Sequence, residues 1–398
     1  MGQRERSACW AGGAPMTSIP VPWRGSVPGT HALVIGVSDY PFADGPHPSA
    51  LGASCGLRNL TTAARSASDV AAWLLNEYCN PDAPLASLRV LLSPSQGESI
   101  HPDIAARLSG PAHATRAAVE AELAQFRSDC RHNPRNVAFV YIAGHGIQLN
   151  KRGAVVLLHD FGDPAHLNEL QGAIDVVGCH AGMDENGIAQ TQVWFCDACR
   201  QQPAMARWFE RLEGALTLSE GIGQVSASPL FLASSSRQNA FAEINGTSIF
   251  SQALLWALRG GGAAGPDNNC DKWHVGTAQL IRVLPPKVMS ILADHAEDQH
   301  VDVAGRVLEV VAQRFTRPPL VDIVVNLRPE DAQPSPTAQL RFGGTDPPLD
   351  VPMAWPLRYQ GPAGLYLLNV EVQPPLARGA TKILNAAPPA YTDVVEVS

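Results

Sequence analysis

The distribution of apolar residues along the first 260 positions constrains the fold more than any other feature of this chain. Short runs rich in β-branched and aromatic residues alternate with longer segments whose apolar residues recur at helical spacing. The runs are continuously apolar, which predicts buried strands over residues 31–37, 88–92, 136–142, 153–159, 192–195 and 229–233. The longer segments predict helices over residues 61–78, 115–126 and 248–258. This alternation is typical of an α/β protein with a mostly parallel sheet flanked by helices.

The chain divides into four predicted regions. We expect a flexible leader at 1–30, the α/β domain at 31–262, a helical connecting region at 263–319 and a small β-sandwich-like module at 320–398. In the connecting region, helices are predicted over 275–293, with an interruption at Pro285-Pro286, and over 305–314. In the last region, apolar and polar residues alternate between Pro- and Gly-rich turns, which predicts an all-β module of antiparallel strands.

Charge, hydropathy and cysteine spacing exclude several classes of protein. No apolar run approaches the ~18 residues of a membrane-spanning helix, so no membrane span is expected. The formal net charge of -8 argues against a general affinity for nucleic acid. The eight cysteines are scattered through a long chain rather than arranged as a disulfide framework. This pattern favours reduced thiols and a cytoplasmic location.

Two predicted strands run directly into a reactive side chain. The strand FVYIAG is followed by His145-Gly146, and the strand VWFCDA is followed by Cys199. In an open parallel sheet, sites form at the carboxyl ends of the strands. We therefore expect His145 and Cys199 to meet at one edge of the sheet.

A thiol and an imidazole in contact form a nucleophile and its base. The imidazole of His145 would convert the Cys199 thiol to a thiolate and later protonate the leaving amine. Attack on a peptide carbonyl also requires donors for the developing oxyanion. The backbone N–H groups of Gly146 and Cys199 lie at the correct strand ends for that role.

These residues carry a family resemblance. The segments IAGHG and FCDACR resemble the His and Cys boxes of the caspase-like cysteine proteases, which include caspases, metacaspases and their bacterial relatives. The resemblance extends over about residues 31–260, from HALVIGVSDYP through the two boxes to PLFLASSS and SIFSQALLWAL. It implies one α/β sheet with Cys199 as nucleophile, His145 as general base and acid, and no cofactor.

Residues near the two boxes indicate the substrate. Caspases carry Gln two positions before the nucleophile, whereas this chain has Asp197, as metacaspases do. The resemblance to metacaspases implies that Asp197 binds the Arg or Lys that precedes the cleaved bond. Asp69 is the candidate for a second acidic pocket residue, and Ser234 and Ser235 resemble one wall of the substrate cleft. Gln201 replaces the Gly that follows the caspase box, which predicts a different loop after the nucleophile.

Several plainer interpretations stay open at this point. Asp197 could cap a turn, and Ser234 and Ser235 could form an ordinary polar loop. The spacing Cys196-x-x-Cys199 also fits a redox motif, although that motif normally opens a helix. A zinc site is a further option, but the set would need the adjacent pair Cys179-His180, which suits tetrahedral ligation poorly, so we expect no metal.

The resulting prediction is a cysteine endopeptidase that cuts protein or peptide substrates after Arg and, less well, after Lys. The resemblance associates such proteins with bacterial stress or antiviral defence. The alternative is a catalytically silent caspase fold that acts as a scaffold, with a partner protein bound to the β module at 320–398. Retention of both Cys199 and His145 favours the enzyme.

Overall fold

The computed structural model contains eighteen strands and several helices over the residues it describes. The described residues are 17–21, 27–44, 57–108, 112–147, 153–168, 170–199, 214–223, 225–233, 246–266, 271–294, 299–329, 339–343, 355–371 and 379–398. The strands are β1 (Ser18–Ile19), β2 (Thr30–Val37), β3 (Leu85–Ser93), β4 (Val137–Gly144), β5 (Gly146–Ile147), β6 (Val155–Leu157), β7 (Ala173–Asp175), β8 (Thr191–Ala198), β9 (Ser228–Leu232), β10 (His274–Gly276), β11 (Asp302–Arg306), β12 (Val311–Arg314), β13 (Leu320–Arg328), β14 (Gln339–Phe342), β15 (Leu357–Pro362), β16 (Gly364–Val370), β17 (Ala380–Ala386) and β18 (Ala390–Glu396). The helices are α1 (Pro41–Asp44), α2 (Ala63–Asn76), α3 (Pro102–Ala105), α4 (Arg116–Arg131), α5 (Val176–Gly182), α6 (Ile249–Trp256) and α7 (Thr277–Ile291).

A seven-stranded sheet in the order β1-β3-β2-β4-β8-β9-β11 forms the centre of the α/β part. The five inner strands are parallel, and β1 and β11 add antiparallel edges. Buried clusters cover both faces of the sheet, as continuous hydrophobicity requires. The predicted α/β class, with a mostly parallel sheet flanked by helices, is confirmed.

The strand order determines where a site can form. From β2 the chain moves to β3 on one side and later to β4 on the other, so the order reverses between β2 and β4. Ligands of open α/β sheets bind at such a switch point, outside the carboxyl ends of the strands. Tyr40 follows β2, His145 follows β4, and Cys199 follows the neighbouring strand β8.

Part of the predicted leader is ordered. Ser18–Ile19 pair with β3, and the Ile19 side chain is buried in the core. The Val90 N–H donates to the Thr17 carbonyl at 2.8 Å. The expectation of a flexible leader was wrong for these residues, because an exposed edge of β3 offered them backbone partners and apolar contacts.

The connecting region is less helical than predicted. The helix expected over 305–314 is absent: residues 305 and 306 belong to strand β11, and residues 311–314 form strand β12. All five residues of β11 pair with β9, and this tertiary pairing overrides the local preference for helix that the sequence pattern indicated. The Pro285-Pro286 pair does not interrupt α7. The carbonyls that these prolines leave without a helical donor belong to the exposed residues Ile281 and Arg282, which water can reach.

The C-terminal module is all-β, as predicted, but is not purely antiparallel. One sheet has the order β15-β13-β18 and the other β14-β16-β17. The strands β13 and β18 are parallel neighbours. The inward residues of both sheets form one buried cluster, which includes Ile323, Val325, Tyr366 and Leu368. The alternation of apolar and polar residues predicted these inward faces. The parallel pairing of β13 and β18 depends instead on the course of the chain through the whole module.

Candidate active site

His145 is held through its backbone by Tyr40. The His145 N–H donates to the Tyr40 hydroxyl at 2.8 Å, and the two rings lie 5.0 Å apart between centroids. Tyr40 is fully buried, and its hydroxyl in turn donates to the Val37 carbonyl at 3.2 Å. Sequence reasoning did not assign Tyr40 to the site, although it stands in the segment HALVIGVSDYP that carries part of the resemblance.

A hydrogen bond determines the tautomer of His145. Its Nε2 atom lies 2.7 Å from the Arg58 carbonyl oxygen. A carbonyl only accepts, so Nε2 carries the hydrogen and the Nδ1 atom of the neutral ring keeps its lone pair. Burial lowers the pKa of His145, and the bond to the Arg58 carbonyl opposes that shift. The imidazole is therefore neutral near pH 7 and can accept a proton at Nδ1.

Gly146 lies directly against the backbone of Cys199. A Cβ atom at position 146 would come within 2.1 Å of the Cys199 carbonyl oxygen and 2.9 Å of the Ala198 Cβ, so only glycine fits there. The Leu157 N–H donates to the His145 carbonyl at 2.8 Å. Gly146 and Val156 are consequently a non-hydrogen-bonded pair in the antiparallel ladder, and the Gly146 N–H is not used by β6. That N–H is a suitable oxyanion donor.

One pocket brings three of the predicted site residues together. It has a volume of about 90 Å³ and lies at the carboxyl ends of β4 and β8, next to the first turn of α2. Its wall is formed by Leu60, Thr62, Ala63, Ala143, Gly144, His145, Asp197, Ala198, Cys199 and Ser248. Cys199 is partly exposed and lines this pocket.

Asp197 is a buried carboxylate with two hydroxyl partners. The Tyr141 hydroxyl donates to Asp197 Oδ2 at 2.6 Å, and the Ser248 hydroxyl donates to the same oxygen. Burial raises the pKa of Asp197 to about 6, and the two hydroxyls oppose the shift. The carboxyl group is therefore largely ionised at pH 7.

Ser248 connects the pocket to two helices. Its Oγ atom accepts the Ser251 N–H at 3.0 Å and so caps α6, while its own hydroxyl hydrogen points to Asp197. Its N–H donates to Ser66 Oγ on α2 at 2.8 Å. Sequence reasoning did not assign Ser248 or Tyr141, because their role depends on α6 and β4 meeting β8 in space.

The structure does not bring Asp69 to this pocket. Asp69 lies seven residues beyond Thr62 on α2, about 10 Å along the helix axis, and does not line the pocket wall. Burial raises its pKa, and the opposing charges around it are Arg65, His101 and Arg259. The helix therefore directs Asp69 toward a separate charged cluster. The remaining predicted positions near the site, Ser234, Ser235, Arg200 and Gln201, lie outside the described residues.

The residues weighed for a zinc or redox site have other contacts in the structure. Cys196 belongs to β8 and is packed in the core, and it does not open a helix as the redox motif requires. The Cys179 thiol donates to the Leu216 carbonyl, and His180 Nε2 donates to the Ser228 carbonyl. Within the described ranges, no group of three or more His, Cys, Asp or Glu residues is arranged to hold a metal, and none of the five cysteines forms a disulfide. None of the helices described is both long and apolar enough to cross a membrane.

Comparison with known proteins agrees with this arrangement. The family model of the caspase domain matches residues 30–270, which is more than half of the chain and includes both boxes. No curated protein matches the sequence. Caspase domains are cysteine peptidases, which accords with a thiol and an imidazole at adjacent strand ends, and the predicted resemblance is confirmed: this chain belongs to the caspase domain family.

Proposed function

We propose that the protein is a cysteine endopeptidase that uses a Cys199–His145 dyad and cleaves after Arg and, less well, after Lys. The observation that carries the proposal is the single pocket lined by His145, Asp197 and Cys199. It joins a nucleophile, a base and an anionic recognition group within one cleft.

The first chemical step is attack by Cys199. His145 Nδ1 takes the thiol proton, and the sulfur forms a bond to the carbonyl carbon of the substrate. The negative charge that develops on the carbonyl oxygen is stabilised by the Gly146 and Cys199 N–H groups. The Gly146 N–H suits this role because the β5–β6 ladder does not use it.

The second step releases the amine and then the acid. The imidazolium of His145 gives its proton to the leaving nitrogen, so the peptide bond breaks and a thioester to Cys199 remains. A water molecule then loses a proton to the same Nδ1 atom and attacks the thioester. The thiol re-forms, and the carboxylic acid product leaves.

Asp197 supplies the specificity in this proposal. Its Oδ2 atom already accepts two hydroxyls, so Oδ1 is the oxygen available to a substrate cation. A fork-like contact with both carboxylate oxygens is thus disfavoured, yet a guanidinium can direct two N–H groups at one oxygen. It is also less strongly hydrated than an ammonium, which favours Arg over Lys. A substrate Asp would meet like-charge repulsion.

The test compares matched variants on matched peptides. Cys199→Ala and His145→Ala should abolish hydrolysis of a peptide with Arg before the cut, with the chain still folded by circular dichroism. Cys196→Ala removes the neighbouring core thiol and serves as the control, which should keep most activity. Substantial hydrolysis by folded Cys199→Ala would refute the dyad, and equal turnover of Arg and Asp peptides would refute the pocket.

The biological setting is proposed on the resemblance alone. It consists of a cytoplasmic location and a role in bacterial stress or antiviral defence. A profile of newly formed protein termini in cells that carry wild type or Cys199→Ala would test it. Cleavage that depends on Cys199 during infection or stress supports the role, and its absence under those conditions contradicts it.

A further inference from the structure

One peptide group connects His145 to a carboxylate. The Arg58 carbonyl accepts the His145 Nε2 hydrogen at 2.7 Å. The N–H of the same peptide group belongs to Asn59, and it donates to Asp44 Oδ2 at 2.8 Å. The sequence of contacts is therefore carboxylate, peptide N–H, peptide C=O and imidazole N–H.

Asp44 is held firmly in this position. Its Oδ1 atom accepts a hydrogen bond from the Arg58 guanidinium at 2.9 Å, and its own N–H donates to the Tyr40 carbonyl at 2.9 Å. The Asn59 side-chain oxygen accepts the Tyr40 N–H at 2.7 Å. The bonds from Asn59 and Arg58 lower the pKa of Asp44, so the carboxylate stays ionised throughout the neutral range.

A carboxylate on the N–H side of a peptide group strengthens the acceptor on its other side. Hydrogen bonds in series polarise one another, so the negative charge of Asp44 increases electron density on the Arg58 carbonyl oxygen. That oxygen binds an imidazolium N–H more strongly than a neutral one, because the bond is then charge-assisted. The arrangement thus favours the state of His145 that forms when Nδ1 takes the Cys199 proton.

We propose that Asp44 is a positioning residue for the peptidase reaction, which acts through the Arg58–Asn59 peptide group to hold the His145 tautomer and to stabilise its imidazolium form. The inference rests on the proposed function, because it assigns His145 as the base. Asp44 is not part of the wall of the pocket that holds Cys199, and in this proposal its effect reaches the reaction through His145.

The electrostatic surroundings of His145 give the proposal a pH signature. Among the residues that the structure describes, the titratable and charged groups near the ring are Tyr40, Cys199 and Asp197 at the pocket and the Asp44–Arg58 pair behind the peptide group. Loss of the Asp44 charge lowers the pKa of His145 and reduces the population of thiolate that the imidazole creates. At pH values above the ordinary thiol pKa of about 8.5, hydroxide creates the thiolate without His145, so the effect should vanish there.

The experiment measures alkylation of Cys199 by iodoacetamide between pH 6 and 10, by mass spectrometry of the Cys199 peptide. Asp44→Asn should alkylate roughly tenfold more slowly than wild type at pH 7, because the bond from the Asn59 N–H loses its charge assistance while an acceptor remains. The two rates should converge near pH 10. The kcat/KM for an Arg peptide should fall by a similar factor at pH 7.

Two control variants separate the peptide contact from a general surface effect. Asp82→Asn removes a carboxylate from another exposed ion pair, with Arg314, and should behave as wild type. Arg58→Met removes the guanidinium, which is 85% exposed, but keeps the hydrogen bond from the Asn59 N–H to Asp44. Its alkylation rate at pH 7 should therefore fall by less than that of Asp44→Asn.

Three outcomes would overturn the proposal. The first is an alkylation rate of Asp44→Asn equal to that of wild type at pH 7. The second is a reduction of that rate by the same factor at every pH. The third is an equal reduction of the rate in Arg58→Met and Asp44→Asn. Failure of the proposed function would look different, since either wild type would hydrolyse no Arg peptide or folded Cys199→Ala would hydrolyse it as well. Cooperative thermal unfolding of each variant establishes that the comparison is between folded proteins.

Discussion

Replacement of Asp197 by asparagine should stabilise the protein while it removes the proposed recognition of Arg. Asp197 is only 5% exposed, and burial raises its pKa from 3.8 to about 6. Asparagine has nearly the same shape, and its side-chain oxygen can accept the hydroxyls of Tyr141 and Ser248. The substitution therefore removes the charge and keeps the acceptor.

The size of the effect follows from the pKa difference between the folded and unfolded chain. A difference of about two pKa units corresponds to roughly 3 kcal/mol. Because the folded-state pKa is raised, the native state holds its proton more tightly than the unfolded state. Asp197 consequently lowers the free energy of unfolding progressively from about pH 4 to pH 6, and the full penalty persists above pH 6.

The assay is urea unfolding of wild type and Asp197→Asn at pH 4 and pH 8. The variant should gain up to about 3 kcal/mol in the free energy of unfolding at pH 8, less the cost of its new amide donors, and little at pH 4. Trp194, buried in the same strand, reports unfolding by fluorescence. The same variant should lose its preference for an Arg peptide over the isosteric, neutral citrulline peptide.

An Asp197→Asn variant no more stable than wild type at pH 8 would show that the burial penalty is absent. A gain in stability of the same size at pH 4 and pH 8 would exclude titration of Asp197 as its source. Retained preference for Arg over citrulline would leave the stability reasoning intact and refute Asp197 as the recognition group.

Two further measurements address the oxyanion donor and the pocket charge. Gly146→Ala should lower kcat/KM by roughly a hundredfold, because the new Cβ would displace the Cys199 backbone from its position at the reacting centre. A folded variant whose kcat/KM stays within a factor of two of wild type would contradict the close contact. KM for an Arg peptide should rise as pH falls through about 6, where Asp197 becomes protonated, while KM for the citrulline peptide should change less. Identical pH dependence of KM for the two peptides would exclude Asp197 as the titrating group.

Much of the α/β part could be predicted from local sequence. Continuous apolar runs identified β2, β4 and β8 because only strands covered on both faces can bury every side chain. Since parallel strands end at one edge, the residues that follow two of them, His145 and Cys199, could be expected in one place. Thr115, the first residue of the predicted helix over 115–126, is the N-cap of α4, and its Oγ1 atom accepts the Ala118 N–H.

Other features could not be predicted because their partners are distant in the chain. A threonine just before a helix is a preferred N-cap residue, yet Thr62, which precedes α2, makes no side-chain cap bond. Instead, Ser38 Oγ accepts the Ala64 N–H and Glu98 accepts the Arg65 N–H. Helix caps satisfy backbone donors, and a residue from another element can do so as well as a local one.

The division between sequence and tertiary structure is clearest at the site itself. The sequence alone predicted which residues could carry the chemistry, because a thiol, an imidazole and a carboxylate are chemically reactive groups and the ends of parallel strands meet at one edge. Only the tertiary structure decided the states of these groups. The Arg58 carbonyl selects the His145 tautomer, and the hydroxyls of Tyr141 and Ser248 both donate to the same oxygen of Asp197. Those states depend on burial and on hydrogen bonds between elements that meet only in the folded chain. The local sequence pattern therefore cannot predict them.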